Sequence, residues 1–460
     1  MDMFTNRVKR LHFVGIGGAG MSGIAEVLHE NGFVVSGSDT GESSVITYLK
    51  NLGIKIFPTH DAKNIENTDL LVYSSAIKAD NPEIQEAINR RIPIIRRAEM
   101  LGELMRLKYT LAIAGTHGKT TTTSLVGHIF ENAAKDPTII VGGIVKGKGS
   151  GAKVGRGPYL IAESDEFDRS FLSMMPSSAI ITNIDEDHLD TYKNLQEIKE
   201  AFVEFGNKVP FYGQIILCLD DTNIQSVLTK FKKPVITYGF SRQTKYRIEN
   251  MIFKSGFPEF EIFKDNEFLG KFSLKIPGKH NVLNATAAIA LAVEENIPLD
   301  IIQKSVASFE GVKRRFELIG KTKTGTLVFD DYAHHPTEVA ATLQGFRDAF
   351  PDKRLVVIFQ PHLFTRTRDH YEHFGSVFAN TDKLLVCDIY PARELPIEGI
   401  TGELIAINAK ERGHRDVTFI GAKENAISIL KNELTENDIL VLMGAGNITK
   451  LGPEILEQIR

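Results

Sequence analysis

The sequence predicts an α/β protein of three domains built on mostly parallel sheets. Three observations lead there. The chain has 460 residues, more than one hydrophobic core usually supports. Short apolar strands alternate with helical patterns along most of its length, the rhythm of parallel strands joined by right-handed crossovers. Two glycine loops, at Gly15 to Gly20 and Gly115 to Gly118, are each entered from a strand and left through a helix.

In residues 1–108 the expected strands are 11–14, 34–39, 54–57, 70–74 and 92–95. A fresh apolar strand, 110–114, starts a second strand-loop-helix unit, which places the first boundary near residue 108. The second segment, 109–312, continues with strands at 159–162, 178–182, 214–219 and 235–238. Residues 246–276 alternate apolar and polar side chains and read as a small antiparallel appendage. Helices at about 282–295 and 299–309 lead to Gly311-Val312-Lys313-Arg314-Arg315, a basic hinge. The third segment, 313–460, has strands at 326–329, 355–359, 383–387, 417–420 and 439–442.

Composition narrows the function. Hydrophobic residues at 42% and charged residues at 24% are the proportions of an ordinary water-soluble globular protein. A formal net charge of -4 gives nucleic acid or an anionic membrane no electrostatic foothold, so the expected partners are small molecules. Cys218 and Cys387 each lie in an apolar run and read as core thiols. Arg7, Lys9 and Arg10 precede an apolar stretch as in a secretory leader. Gly15, Gly17, Gly18 and Gly20 interrupt that stretch, so a strand entering a loop is expected, and with it a cytoplasmic protein.

The loop Gly115-Thr116-His117-Gly118-Lys119-Thr120-Thr121 carries most of the chemistry. Glycines let backbone N–H groups close around phosphate oxygens, and the helix N-terminus adds partial positive charge. Lys119 neutralises the outer phosphates, and Thr120 offers its hydroxyl to magnesium. Only Thr116 and His117 separate Gly115 from the Gly118-Lys119 pair, fewer than in the general nucleotide-binding pattern. The central domain is therefore read as a P-loop-type ATPase α/β domain. The first loop, with Gly17, Gly18, Ala19, Gly20 and Met21, and Asp39 at the end of the second strand have the spacing of a Rossmann-like fold, in which the acid binds a ribose. A purely structural turn is the competing explanation there. Two such loops imply two phosphate-bearing ligands, which points to ligation; hydride transfer would leave Lys119 without a role.

Acidic segments end two central strands: Glu163-Ser164-Asp165-Glu166, and Asn183 to Asp190 with His188. The carboxyl ends of parallel strands are where such sheets bind ligands, so these segments are candidates to hold magnesium against ATP, and a solvated acidic loop is the alternative. In the third domain, read as Rossmann-like α/β, Asp330 to Pro336 and Gln360 to Arg368 also end strands. Arginine there suits a carboxylate bidentately.

Taken together, these motifs resemble the Mur ligase family of peptidoglycan precursor synthesis, over essentially the whole chain. Gly15 to Met21, Gly115 to Thr123, Glu163 to Asp168, Asn183 to Tyr192, Gly278 to Ala285, Arg314-Arg315-Phe316, Asp330 to Pro336 and Gln360 to Arg368 carry the resemblance. It is strongest to the alanine-adding members. It implies ATP-dependent joining of L-alanine to UDP-N-acetylmuramate through an acyl phosphate, with ATP and Mg2+ as cofactors, by a monomer or weak homodimer. Carried over by motif, Lys119, Glu163, His188 and Arg366 are the catalytic candidates, and Thr120, Glu163 and His188 the metal ligands. Gly115 to Thr121, Asn284, Arg315 and Asp331 are expected to bind ATP. Gly17 to Met21, Asp39, Tyr332, His362 and Arg366 are expected at the substrates. Two positions depart from the pattern. Phe202 and Val203 stand near where many related ligases have a carbamylated lysine, and Leu363 stands where some alanine-adding members have arginine.

Overall fold

The computed structural model of the chain describes residues 8–74, 76–141, 152–167, 169–186, 191–254, 256–392 and 394–459, apart from the Ala19 side chain. It has the expected α/β architecture on three sheets. By internal contacts the chain falls into two compact units: one of 1–249, 261–271 and 283–306, the other of 250–260, 272–282 and 307–460. No helix among the described residues is long and apolar enough to cross a membrane.

The first unit holds a five-stranded sheet ordered Lys55–Phe57, Val34–Ser38, Arg10–Val14, Leu70–Tyr73 and Ile94–Arg96, parallel throughout. The first strand is central and the order reverses beside it, so the loop that follows it opens at the switch point where such sheets bind ligands. The parallel core of the next sheet runs Val235–Gly239, Ile215–Cys218, Ser178–Ile181, Tyr109–Ala114, Tyr159–Glu163 and Thr138–Ile140. The strand Tyr109–Ala114 is again central, and the loop that follows it is the candidate phosphate loop. Ala152–Lys153 adds a short antiparallel edge. The predicted appendage is three strands, Tyr246–Lys254, Phe257–Lys264 and Glu267–Ser273, which extend the same sheet. They join it by parallel pairing of Tyr238 with Tyr246 and Gly239 with Arg247.

The second unit carries a six-stranded sheet ordered Glu317–Lys321, Leu327–Asp331, Asp438–Met443, Arg354–Phe359, Lys383–Cys387 and Val417–Gly421, with only the first strand antiparallel. Its strands show the two-residue period of a sheet covered on both faces. Leu355, Val357 and Phe359 join one buried cluster with Leu384, Val386 and Phe374, and Val356 and Ile358 join another with Leu385, Cys387 and Leu440. Both cysteines are free and buried, and burial pushes each thiol up to about 12, so neither is a thiolate at neutral pH.

Helix starts follow local chemistry. Asn194 accepts from the Glu197 amide to begin Leu195–Asn207. At Pro336–Ala349, Pro336 fits the first position, where no donor is needed, while Glu338 Oε2 accepts from the amides of His334 and His335 at 3.1 and 3.4 Å. The His334-His335-Pro336 sequence is thus in part a helix-start signal.

A polar network lies inside the first unit. Glu83 is fully buried; its carboxylate accepts from Ser38 Oγ at 2.5 Å and Asn64 Nδ2 at 2.6 Å, with His60 Nδ1 at 3.2 Å and His12 Nε2 at 3.4 Å. Burial alone would raise this carboxyl, but the bonds from His12, Ser38 and Asn64 outweigh it and hold it below the ordinary glutamate value. A carboxyl depressed on folding stabilises the protein above its unfolded value and loses that contribution as pH falls through the folded one. Glu83→Ala, which takes the acceptor from Ser38 and Asn64 and the carboxylate from the buried His12 ring, is expected to cost about 1–3 kcal/mol. Thermal unfolding between pH 7 and 3 checks it: the wild type loses stability on acidification more steeply than the variant, and equal slopes would refute the assignment.

Candidate functional site

In the first unit the candidate phosphate loop is built around Lys119. The strand Tyr109–Ala114 ends at the loop, and helix Lys119–Asn132 begins right after Gly118. Gly118 has φ +83, and a Cβ there would lie 2.5 Å from Asn284 Oδ1, so only glycine fits. This contact also puts Asn284, 6% exposed, directly against the loop. The strand end Thr182-Asn183 braces the other side: Thr182 Oγ1 donates to His117 O at 2.6 Å, and Asn183 Oδ1 accepts from His117 N at 2.8 Å. His117 Nε2 lies 3.2 Å from Asp185 Oδ2, and Thr116 Oγ1 accepts from Asp185 N at 2.9 Å. Thr121 is buried in the first turn of the helix.

The Lys119 ammonium donates to Gly115 O at 2.8 Å, Thr116 O at 3.2 Å and Glu166 Oε2 at 2.8 Å, with Asp165 Oδ1 at 3.7 Å. Burial alone would lower its pKa, but the carboxylates of Glu166, Asp165 and Glu163 reverse that and hold it above the ordinary lysine value. It stays charged at any working pH. Thr120 Oγ1 donates to Glu163 Oε1 at 3.1 Å. A hydroxyl and a carboxylate oxygen side by side at a phosphate loop are the donors a magnesium ion prefers, so these residues fit that ion. His188, the third expected ligand, lies outside the described residues.

The other glycine loop holds itself together. Gly15 and Ile16 both donate to Ser38 O, and Asp39 Oδ2 accepts from Gly17 N at 2.8 Å while Oδ1 accepts from Gly41 N at 2.9 Å. The carboxylate expected to bind a ribose is thus already engaged in shaping the loop. Gly18 precedes helix Ala19–Glu30, which has no side-chain cap and no acidic residue in its first turn. Such an end attracts an anion. Met21 is 1% exposed and its amide donates to Gly18 O, so it contributes packing.

The second unit gathers the remaining candidates. Tyr332 lies under two guanidinium groups, Arg314 at 4.9 Å and Arg315 at 5.2 Å from its ring centre. Arg315 Nη1 is 3.5 Å from Glu338 Oε1. Asp331, expected to contact ATP, is 2% exposed; it accepts from the amides of Phe316 at 2.8 Å and Ala333 at 2.9 Å. Burial pushes its carboxyl up to about 6. Its visible task is to clamp the Arg314–Phe316 turn, where Arg314 and Phe316 have φ of +59° and +49°. His362 stacks on Tyr390 at 5.8 Å, lies 5.8 Å from His334 and has Arg366 Nη1 3.4 Å from its Nδ1. Leu363 takes φ +72 as it starts helix Phe364–Val377, and its amide donates to Tyr390 O at 3.0 Å. Sequence reasoning gave no individual role to Glu166, Asn183 or Glu394, which accepts from Thr365 Oγ1 at 2.5 Å. Glu166 and Asn183 sat inside quoted acidic segments, whereas nothing local marks Glu394.

Three profiles match consecutive parts of this chain: "Mur ligase family, catalytic domain" over 10–109, "Mur ligase middle domain" over 113–292 and "Mur ligase, glutamate ligase domain" over 314–446. The chain belongs to the Mur ligase family. Among curated relatives, the UDP-N-acetylmuramate--L-alanine ligase of Geobacter sp. (strain M21) is 48% identical over 99% of this Mur ligase and 98% of its own length. That of Myxococcus xanthus (strain DK1622) is also 48% identical, over 99% and 96%. Among solved structures, the UDP-N-acetylmuramate-alanine ligase from Thermotoga maritima is 31% identical, covers 97% of this chain and 98% of its own, and has a TM-score of 0.81. A murein peptide ligase from Psychrobacter arcticus shares the fold at 23% identity and TM-score 0.69, covering 98% of both chains.

The surroundings of the two imidazoles carry a prediction for this Mur ligase. Burial first, and Arg366 as well, hold His334 and His362 down to about 4. A histidine depressed on folding contributes less stability as pH falls from its unfolded value of about 6.5 through the folded one. Both rings are expected to remain neutral at pH 5 by NMR titration, and Arg366→Ala to move the His362 midpoint upward. A wild-type His362 midpoint near 6.5 would contradict this environment.

Proposed function

We propose that this Mur ligase joins L-alanine to the lactyl carboxylate of UDP-N-acetylmuramate at the expense of ATP, giving UDP-N-acetylmuramoyl-L-alanine, ADP and phosphate. We place it in the cytoplasm, as a monomer or weak homodimer. The observation that carries this reading is 48% identity to ligases of that name along 99% of the chain. The Lys119 loop supports it chemically.

Transfer of the γ-phosphoryl group to a lactyl carboxylate oxygen gives an acyl phosphate and ADP. The alanine amine then attacks the acyl carbon, the carbon–oxygen bond to phosphate breaks, and phosphate leaves. Phosphoryl transfer of this kind depends on positioning and charge neutralisation more than on covalent help from the protein. Lys119 and the loop amides supply both to the outer phosphates, with Gly115 to Thr121 wrapping the phosphates and Asn284 at the adenine. Magnesium, held by Thr120, Glu163 and His188, would neutralise further phosphate charge. Arg315 and Asp331 belong to the ATP side of the second unit; Tyr332, His362 and Arg366 frame the amino acid. A neutral His362 beside the Arg366 guanidinium suits a carboxylate, because the cation meets the anion while the ring remains an uncharged wall.

The decisive measurement is phosphate release from ATP and UDP-N-acetylmuramate with alanine, glycine, serine or a preformed tripeptide offered separately. Alanine is expected to give the fastest release. Release with tripeptide and none with alanine would overturn the reading. In Lys119→Ala, turnover is expected to fall by at least about a thousandfold, as for loss of a main transition-state charge, while binding of UDP-N-acetylmuramate persists. Near-normal turnover would remove the phosphate-loop assignment.

A further inference from the structure

In the second unit, the segments that follow the paired strands Arg354–Phe359 and Lys383–Cys387 are stitched to one another residue by residue. Tyr390 N donates to Pro361 O at 2.8 Å, and Leu363 N donates back to Tyr390 O at 3.0 Å. The stitching ends on Glu394, whose carboxylate accepts from Thr365 N at 3.1 Å and from Thr365 Oγ1 at 2.5 Å. A turn closed by the bond from Glu394 N to Pro391 O at 2.9 Å, with Ala392 in the left-handed region at φ +51°, brings that carboxylate back onto the helix Phe364–Val377. Left-handed backbone outside glycine persists only where the surrounding structure over-determines it.

The helix needs such a partner. Leu363 gives it no side-chain cap, and its first turn holds no acidic residue. The first amides of a helix have no acceptor within it, and its N-terminus carries partial positive charge. Arg366 lies in that same turn, a cation at the end where a cation is disfavoured. Glu394 answers both needs from outside the helix: it takes one of the orphan amides and sets a negative charge beside the turn. What distinguishes it from a helix cap of the usual kind is the cargo. The turn it holds carries Arg366, and the entry to that turn carries His362, whose Nδ1 is 3.4 Å from Arg366 Nη1.

Resting on the function proposed above, we propose that Glu394 is a positioning residue of the amino-acid site, fixing the first turn of helix Phe364–Val377 so that Arg366 and His362 meet the carboxylate of alanine in one arrangement. Glu394 touches no substrate in this scheme; it acts through Thr365. Its value lies in alignment, since a misplacement of about 1 Å at a binding group can cost on the order of 100-fold. Its charge also reaches His362, where it raises the imidazole pKa against burial and against Arg366 and Arg314, which lower it.

Steady-state kinetics of the full chain, with alanine, ATP and UDP-N-acetylmuramate varied in turn, test this, and melting temperature reports on folding. Glu394→Gln keeps the size of the side chain but leaves one oxygen for two donors. It is expected to raise KM for alanine by about 10- to 100-fold, with KM for both nucleotides unchanged and kcat less affected. Thr365→Val, which removes the hydroxyl and leaves the carboxylate, should show a smaller rise, and Thr365→Ser, which keeps the hydroxyl, none. NMR titration separates charge from contact: the His362 midpoint should move down in Glu394→Gln and stay in place in Thr365→Val. Should Glu394→Gln fail to fold, the two Thr365 variants carry the comparison. A lower melting temperature with all three KM values unchanged would overturn the proposal and leave Glu394 a helix cap. An equal rise in all three would overturn it as general loosening. A wild type whose phosphate release ignores alanine would instead sink the function on which the proposal rests.

Discussion

Lys119 sits where a cation is least welcome, at the first position of a helix and largely out of water, and the Glu166 carboxylate 2.8 Å away makes that position tenable. Much of the first unit's site follows from that pairing. Glu166 must be rigid to serve, and its carbonyl accepts from Tyr192 Oη at 2.8 Å and from the Arg169 amide. The loop must be rigid as well, and the strand end at Thr182-Asn183 ties down His117. Under the proposed function, a nucleotide phosphate arriving at the loop would compete with carboxylates for an ammonium that is already charged. The binding free energy is the difference between two strong interactions, which favours exchange over permanent capture.

Much of this could be read from the residues alone. The parallel sheets were legible because their strands are short and continuously apolar, and the loops because glycine, lysine and threonine act locally, within a few residues. Partner choice was not legible. Asp39 could be singled out as a ribose-ligand candidate from its distance to the first loop, but its bonds to the Gly17 and Gly41 amides could not be read, because sequence does not orient those amides. Asp331 could be singled out as an ATP-contact candidate, but its bonds to the Phe316 and Ala333 amides could not be read, because they depend on how the Arg314–Phe316 turn folds against the strand. The alternation of residues 246–276 announced antiparallel strands but not that they would lengthen the central sheet, since an edge exists only once the sheet is assembled.

The second unit solves a different problem. Its buried imidazoles are kept neutral, since His334 and His362 lose their protons, while burial raises the Asp331 carboxyl to about 6. Permanent charge is left to the arginines, Arg314 and Arg315 around Tyr332 and Arg366 beside His362. The recognition of a small zwitterion proposed above would suit this division, because the arginines alone would offer fixed positive charge to a carboxylate.

Leu363 adds a mechanical aspect. A leucine at φ +72 stores about 1–3 kcal/mol of backbone strain. That strain is held by the bond from its amide to Tyr390 O and by its own carbonyl, which accepts from Thr367 N and Thr367 Oγ1. The turn behaves like a loaded latch. His362 before it and Arg366 after it are aimed by tension between two strand ends, so their alignment depends on the 388–391 connection, far away in sequence, staying in place.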